Sequence, residues 1–364
     1  MPAVELGLNT FGDLTVDGNG RPLSYARVLR DVVAEAELAD QVGVDAFGVG
    51  EHHRPDFAIS APEVLLGAIA GRTERILLGT AVTILSTDDP VRVYQRFATL
   101  DAVSNGRAEV ILGRGSFTES FPLFGYSLDD YDDLFEEKLA LFAALREADR
   151  TGQPVRWKGR VRSPLDGVQI YPRVERPPLR AWVGVGGSPE SVVRAARYGF
   201  PLTLAIIGGD PRRFRPYVEL YHRTLAQLGS EPLPVGIHSP GHVAKTDAEA
   251  REVLWPAYQV MRNRIGAERG WPPTSLAEFD RDIAAGSLYV GSPETVARKI
   301  AGTVRALGAS RFDLKYSAGT LGHELMLRSI ELYGQQVIPQ VRRLLAEAAP
   351  DDRLPAHARQ VPAH

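Results

Sequence analysis

The sequence predicts a closed parallel (β/α)8 barrel, the TIM-barrel architecture. Three observations carry that reading. Short apolar runs alternate with longer amphipathic segments along the chain, and eight of those runs have strand character. Several runs are apolar at nearly every residue, as expected of strands buried on both faces. Chemically distinctive residues fall where the runs end, which in a barrel is the active-site face. An open doubly wound sheet is the alternative. The steady alternation and the lack of a dinucleotide fingerprint after the first strand favour the barrel.

In chain order, residues 4–8 form the first strand, followed by a glycine-rich polar loop over 9–24. Residues 25–42 form a helix, with Val28, Val32 and Ala39 on one face, stopped by Gly43 as a left-handed cap. The second strand is 44–50. Pro62 opens the next helix in the favoured first-turn position. Residues 75–85, RILLGTAVTIL, read as a continuous third strand, and Asp89-Pro90 starts a helix to about Ser104. A fourth strand, 108–113, precedes the loop GRGSFTESFPLFGYS and a charged helix over 128–148. The glycine- and proline-rich stretch 150–179 breaks the rhythm and reads as an insertion containing a hairpin. Strands follow at 180–185, 202–207 and 234–244, with helices to Tyr198 and over 211–228. Extra helices occupy 246–286, broken at Gly270-Trp271-Pro272-Pro273. A helix over 292–307, an eighth strand at 311–317 and a last helix over 322–347 complete the pattern. Met326, Ile330, Tyr333, Val337, Val341 and Leu344 form a stripe on that last helix, which predicts core or interface.

The chain has 364 residues, enough for one large core or two ordinary domains, and no boundary divides it. Residues 1–347 read as one domain, and 348–364 as a polar, proline-rich tail expected to be disordered. A formal charge of -3 leaves no basic footprint for nucleic acid. The absence of Cys removes disulfides, thiolate metal sites and a cysteine nucleophile, and fits a reducing cytoplasm. No signal peptide is evident, and no apolar run approaches the ~20 residues of a membrane helix.

The chemistry gathers at strand ends. Strand one ends at Asn9-Thr10-Phe11, strand two at Glu51-His52-His53, strand four at Arg114-Gly115 and strand five at Gly186-Gly187-Ser188. If the strand continues through them, His52 and His53 face opposite ways, so that one could face a pocket while the other packs behind it; the plainer alternative is that both are satisfied polar residues at a strand end. Either is a candidate acid or base. Gly186 and Gly187 permit close approach of backbone, and Ser188-Pro189-Glu190-Ser191 opens a helix whose free N–H groups favour a phosphate. Ordinary capping explains the same pattern, and Gly291-Ser292-Pro293-Glu294-Thr295 repeats it. Arg114 is either a phosphate clamp or a rim ion pair. Glu51, His52, His53 and Glu109 are conceivable metal ligands that no motif enforces. His238 and His242, separated by Pro240-Gly241, do not share a helix face as zinc ligands would. The expectation is therefore no metal.

The combination of GVGEHH, LLGTAVTILSTDDPVR, NGRAEVILGRGSFTESFPLFG, GGSPESVVRAARYG, YVGSPETVARKI and SIELYGQQVIP resembles the bacterial-luciferase-like monooxygenase family, over about residues 4–345. The resemblance implies a barrel that binds reduced flavin mononucleotide (FMN) or, in some branches, a deazaflavin coenzyme. It makes His52 the catalytic acid/base and Arg114, Ser188 and Ser191 the phosphate contacts, with Gly187 contributing backbone only. A second phosphate arginine of luciferase matches Asp132 here, and its reactive cysteine matches Gly113. A non-prolyl cis bond under the flavin ring matches Ala81-Val82. The reaction implied is oxygenation of a small organic substrate with dioxygen, the reduced flavin coming from a separate reductase, and the protein is expected to be a homodimer through the helices after strands two and three. Loops 9–24, 54–60, 115–127 and 262–287 would build the pocket or lid, with Phe11, Phe57, Phe117 and Phe121 as apolar liners. The rivals are a deazaflavin-dependent hydride-transfer enzyme, a metal-dependent barrel hydrolase and a flavin-binding protein without activity.

Overall fold

The computed structural model describes residues 4–347; the predicted tail, 348–364, lies outside them. The strands are β1 (Glu5–Thr10), β2 (Ala46–Val49), β3 (Leu77–Thr80) with its continuation β4 (Thr83–Ile84), and β5 (Glu109–Gly113). A hairpin, β6 (Val155–Trp157) and β7 (Leu165–Val168), precedes β8 (Arg180–Val185), β9 (Leu202–Ala205), β10 (Val235–Val243), β11 (Tyr289–Gly291) and β12 (Arg311–Lys315). Neighbouring strands run β3-β2-β1-β12-β10-β9-β8-β5-β4, all parallel. A parallel bridge from Leu78 to Ala108, with the Leu78 N–H on the Arg107 carbonyl at 2.8 Å, joins β3 to β5 and closes the ring. This is the (β/α)8 barrel that the alternation predicts, and the open sheet is excluded.

Helices α1 (Tyr25–Gln41), α2 (Pro62–Ala70), α3 (Pro90–Val103), α4 (Ser120–Leu123), α5 (Tyr131–Thr151), α6 (Pro189–Arg197) and α7 (Arg215–Gln227) follow the strands in turn. The predicted break separates α8 (Asp247–Arg269) from α9 (Leu276–Ala284): Gly270 caps the first at φ 68°, and Ser275 with Glu278 forms a capping box on the second. After α10 (Pro293–Leu307), the final helix divides into α11 (His323–Leu332) and α12 (Ile338–Glu347) around a wide turn at Tyr333–Val337. Its apolar stripe is core: Met326, Ile330, Tyr333, Val337 and Val341 are buried. No helix among the described residues is long and apolar enough to cross a membrane.

Two strand predictions need correction. Residues 75–85 are not one strand, because the Ala81–Val82 peptide is cis and the ladder stops at Thr80 and resumes at Thr83. β11 was not anticipated. It is only three residues long and pairs with the far end of β10, beside the barrel wall.

The barrel interior is polar at its floor. On β12 the sequence RFDLK alternates Arg311, Asp313 and Lys315 with Phe312 and Leu314, so one charged set faces inward. Arg311 donates to both oxygens of Asp313 at 2.9 Å and to Glu109 at 2.5 Å, and all three are almost wholly buried. Glycines make room for them. Gly7 is in register with Asp313, and a Cβ at Gly7 would lie 2.1 Å from the Asp313 Oδ1. We expect Gly7→Ala to destabilise the protein by about 1–3 kcal/mol through overpacking, read as a lower urea midpoint. Gly302→Ala, on α10 with open space around it, is the control and gains about 0.5–1 kcal/mol from helix propensity.

Candidate active site

The topology puts the predicted site on one arc of the barrel mouth. His52 follows β2, Ala81-Val82 joins β3 to β4, Arg114 follows β5, and Gly186 to Ser191 follow β8. These strands are consecutive neighbours around the ring. Three strand spacings give an arc of roughly 14 Å.

At one end of the arc, His52 lies among aromatic rings. Its ring centroid is 4.7 Å from that of Phe11 (edge-on), 4.4 Å from Phe57 (stacked) and 5.4 Å from Phe117 (edge-on). Among the described residues no protein group hydrogen-bonds its ring nitrogens, so they are available to a bound molecule. Burial pushes the imidazolium pKa down to about 3, against the opposing charge of Asp13, and the ring is therefore neutral near pH 7. β2 ends at Val49, so the two histidines lie in the loop beyond it, and His53 turns to a partner of its own. Its Nε2 lies 2.9 Å from Glu51 Oε1, and Glu51 Oε2 accepts the Ile84 N–H at 2.8 Å. Glu51 and His53 thus tie the β2 end to β4, and His52 is the pocket histidine of the triplet.

In the middle of the arc, the Ala81 N–H bonds the Val49 carbonyl and the Glu51 N–H bonds the Val82 carbonyl, so both sides of the cis peptide are anchored to the end of β2. The Val82 side chain projects over β5 and β8. A Cβ at Gly113 would lie 2.4 Å from Val82 Cγ2, and one at Gly184 would lie 3.1 Å from Val82 Cγ1. The position matching the luciferase cysteine therefore has no room for any side chain unless Val82 moves.

At the other end, Ser188 caps α6. Its Oγ accepts the Ser191 N–H at 3.3 Å and donates to Ser191 Oγ at 2.9 Å, and Arg114 Nη2 donates to that same oxygen at 3.2 Å. Gly187 has φ 111°, which favours glycine, and Gly186 faces open space. Arg114, Gly186, Gly187, Ser188 and Ser191 thus converge on one small region with N–H, hydroxyl and guanidinium donors, which suits a phosphate. The second Gly-Ser-Pro pattern behaves differently. Ser292 caps α10, but its N–H and the Thr295 hydroxyl are taken by Asp247, so that helix start is already occupied by a carboxylate of this chain.

Three of the four predicted lid segments meet at Arg54. Its guanidinium donates to Asp56 at 3.0 Å, to Glu119 at 2.5 Å and to Glu268 at 2.6 and 2.8 Å, and it lies 4.3 Å from the Phe117 ring centroid. Arg269 adds a bond to the Ser116 carbonyl at 3.2 Å. Arg54 therefore staples loop 54–60, loop 115–127 and the end of α8 over His52. We expect Arg54→Met to lower the local opening free energy by about 1.5–3 kcal/mol. Limited proteolysis within 115–127 should then be at least about tenfold faster, with the global unfolding midpoint little changed.

Several functional neighbours were not legible beforehand. Lys315 Nζ donates to both oxygens of Asp13, at 2.9 and 2.8 Å, and to the Ser317 carbonyl at 2.6 Å, and it sits 4.7 Å from the Phe11 ring centroid. Burial alone raises the Asp13 pKa, but Lys315 and the Ser317 hydroxyl hold it below the usual value. Asn9 Nδ2 lies 2.8 Å from His238 Nδ1 beneath the same pocket, and burial pushes His238 down to about 4. The period-two charges of RFDLK were the available signal for Lys315, and nothing local marks Asp13 as its partner.

One expectation does not hold, and the side chains that the hydrolase rival would need are apart. Phe121 is not a liner: it is fully buried and stacks on Tyr131 at 5.4 Å. Glu109 is at the barrel floor on Arg311, away from Glu51 and His52, and His238 is held by Asn9. Among the described residues no three His, Cys, Asp or Glu are placed to hold a metal, so the ligand set of the hydrolase reading does not assemble. A cavity of ≈ 380 Å³ lined by His242, Lys245, Glu249, Val253, Leu325 and Arg328 lies away from the predicted site and holds none of its residues.

Comparison with known proteins bears on the fold and the family. The alkanal monooxygenase alpha chain of Photobacterium leiognathi is 25% identical over 350 residues, 88% of this chain and 95% of that protein. The monooxygenase RslO1 from Streptomyces bottropensis superposes with a TM-score of 0.79 at 25% identity, covering 92% of this chain and 99% of the other. Two structures share the fold alone. One is the oxygenating constituent of 3,6-diketocamphane monooxygenase from Pseudomonas putida in complex with FMN (TM-score 0.74, 18% identity, 93% and 99% covered). The other is an F420-dependent secondary alcohol dehydrogenase in complex with an F420-acetone adduct (TM-score 0.72, 19% identity, 93% and 99% covered). The family model for luciferase-like monooxygenases matches residues 10–311, and the chain belongs to that family.

Proposed function

We propose that the chain is the oxygenating component of a two-component system. It takes reduced FMN from a separate reductase and uses dioxygen to oxidise a small organic substrate. The observation that supports this most is the arc itself. A cluster of phosphate-type donors and a part-buried neutral imidazole stand at opposite ends of four consecutive strand ends, an arc of roughly 14 Å at three strand spacings. Arg114, Ser188, Ser191 and the backbone at Gly186 and Gly187 would hold the phosphate. The Ala81-Val82 segment and the Val82 side chain would support the ring. Bound reduced flavin supplies the electrons that activate dioxygen.

The chain's own contribution is orientation, exclusion of water and one proton-handling group. Phe11, Phe57 and Phe117 surround His52, and the Arg54 staple holds two loops above it, which keeps the reacting region dry. A neutral His52 accepts a proton or offers a hydrogen bond at a ring nitrogen; it does not begin as an imidazolium donor.

The test is an anaerobic titration with reduced FMN and, separately, with a reduced deazaflavin, followed by admission of dioxygen and absorbance spectroscopy. Stoichiometric binding of reduced FMN, and a transient species distinct from free reduced and oxidised flavin, is the expected result. Binding of the deazaflavin alone would assign the chain to hydride transfer. Binding of reduced FMN with oxygen consumption at the free-flavin rate for every substrate would make it a flavin carrier.

A further inference from the structure

Arg114 has a second partner that bears on how tightly a phosphate can be held. Asp132, in the first turn of α5, pairs through Oδ1 with Arg114 Nη1 at 2.9 Å, while Nη2 of the same guanidinium reaches Ser191 at 3.2 Å. One planar cation therefore bridges the phosphate-type donors and a carboxylate of the chain itself. The carboxylate is 75% exposed and the guanidinium 29% exposed, so the pair is at the open rim, where it can be exchanged for another anion.

Asp132 has an ordinary structural explanation as well. Acidic residues in a first helical turn favour the helix dipole, and α5 carries Asp132 and Asp133 there. The two differ in what they touch: Asp133 pairs with Arg160, away from the cluster. Helix stabilisation accounts for both residues; only Asp132 is aimed at Arg114.

We infer that Asp132 is a built-in competitor for Arg114, a carboxylate that occupies the guanidinium when no phosphate does and weakens the grip on the cofactor phosphate. This rests on the proposed reading of Arg114, Ser188 and Ser191 as the phosphate site. A phosphate entering the cluster must displace Asp132 from Nη1 or bind beside its negative charge, and both reduce affinity. The consequence is a flavin that arrives and leaves as an exchangeable reactant, as a protein fed by a separate reductase requires. Asp132 is thus a specificity-determining residue. It lowers the advantage of a phosphorylated flavin over the same flavin without its phosphate.

The experiment compares affinities for reduced FMN and reduced riboflavin, measured anaerobically by fluorescence or calorimetry, in the wild type, Asp132→Asn and Asp133→Asn. The expected result is that Asp132→Asn binds reduced FMN about five- to tenfold more tightly and riboflavin unchanged, with the gain shrinking as salt is raised. The Asp133→Asn variant, which loses the same helix-dipole interaction, should leave the FMN-to-riboflavin ratio at its wild-type value. The inference is overturned if Asp132→Asn leaves that ratio unchanged, or if it weakens FMN binding, which would make Asp132 a support for Arg114. A wild type that binds reduced FMN no better than reduced riboflavin would instead overturn the phosphate-site reading beneath it.

Discussion

Replacing His52 with alanine is expected to lower the rate of substrate oxygenation by about 10²–10⁴-fold, the range typical of a positioned acid/base group, while reduced FMN still binds. The argument starts from the position of the ring. His52 is held on three sides by Phe11, Phe57 and Phe117, and its nitrogens meet no protein partner among the described residues. The ring is only partly exposed and its nitrogens are free to meet a ligand, which packing alone does not require. His53, the next residue in the chain, is explained by its pairing with Glu51. The pH dependence sharpens the prediction. With the His52 pKa pushed down to about 3 by burial, the neutral form persists throughout pH 5–8, so titration of this residue produces no inflection in that window. Stopped-flow absorbance and product yield read the effect. Equal product yield from wild type and His52→Ala would remove His52 from the chemistry.

The largest expected loss of stability comes from the barrel floor. Arg311→Met leaves Asp313 buried without its cation and Glu109 with only Arg180, at 3.4 Å, and breaking a buried ion pair from one side typically costs about 3–5 kcal/mol. The guanidinium's contact with the Trp182 ring, at 5.6 Å, is lost as well. The cost should depend on pH, with a definite sign. In the wild type, Glu109 is held below its ordinary pKa because Arg311 outweighs its burial, so its contribution is present above its unfolded pKa and is lost in acid. Asp313 is pushed up to about 6 by burial in spite of Arg311, so its contribution is present at low pH and is lost as pH rises through about 6. Without Arg311, burial and mutual repulsion push both groups up, opposed only by Arg180 at Glu109. The folded variant then takes up more protons than the unfolded chain as pH falls, and it recovers stability. The gap between wild type and Arg311→Met should therefore be widest near pH 8 and narrower near pH 5. Urea unfolding at both pH values measures it; a gap below about 1 kcal/mol, or one independent of pH, would show that the triad is not electrostatically coupled.

Much of the barrel was legible because its strands are buried on both sides. Runs such as 108–113 and 180–185 have few polar residues to obscure them, and the cap signals at Asp89-Pro90, Ser188-Pro189 and Ser292-Pro293 each open a helix. The break at residues 81–82 was not legible from periodicity, since a cis peptide leaves the apolar pattern intact; only the family resemblance pointed to it. β11 was missed because three residues carry no period. The inward charges were present in the sequence as the alternation of Arg311, Asp313 and Lys315, but their partners Glu109 and Asp13 lie about 200 and 300 residues away, and no local rule pairs residues at that separation. Arg54 and Asp132 show the same limit. Each is an unremarkable surface charge in one dimension, and each acquires its role only when the loops after β2 and β5 and the helix starts meet at the barrel mouth.

The most direct measurement is a crystal structure of the protein soaked anaerobically with reduced FMN. The account predicts the phosphate within hydrogen-bond distance of Arg114, Ser188 and Ser191, Asp132 released from Arg114, and the ring over Ala81-Val82 with one edge toward His52. A flavin bound elsewhere, such as the cavity beside His242, or a phosphate that leaves the Arg114–Asp132 pair and the Ser188–Ser191 cap untouched, would contradict it.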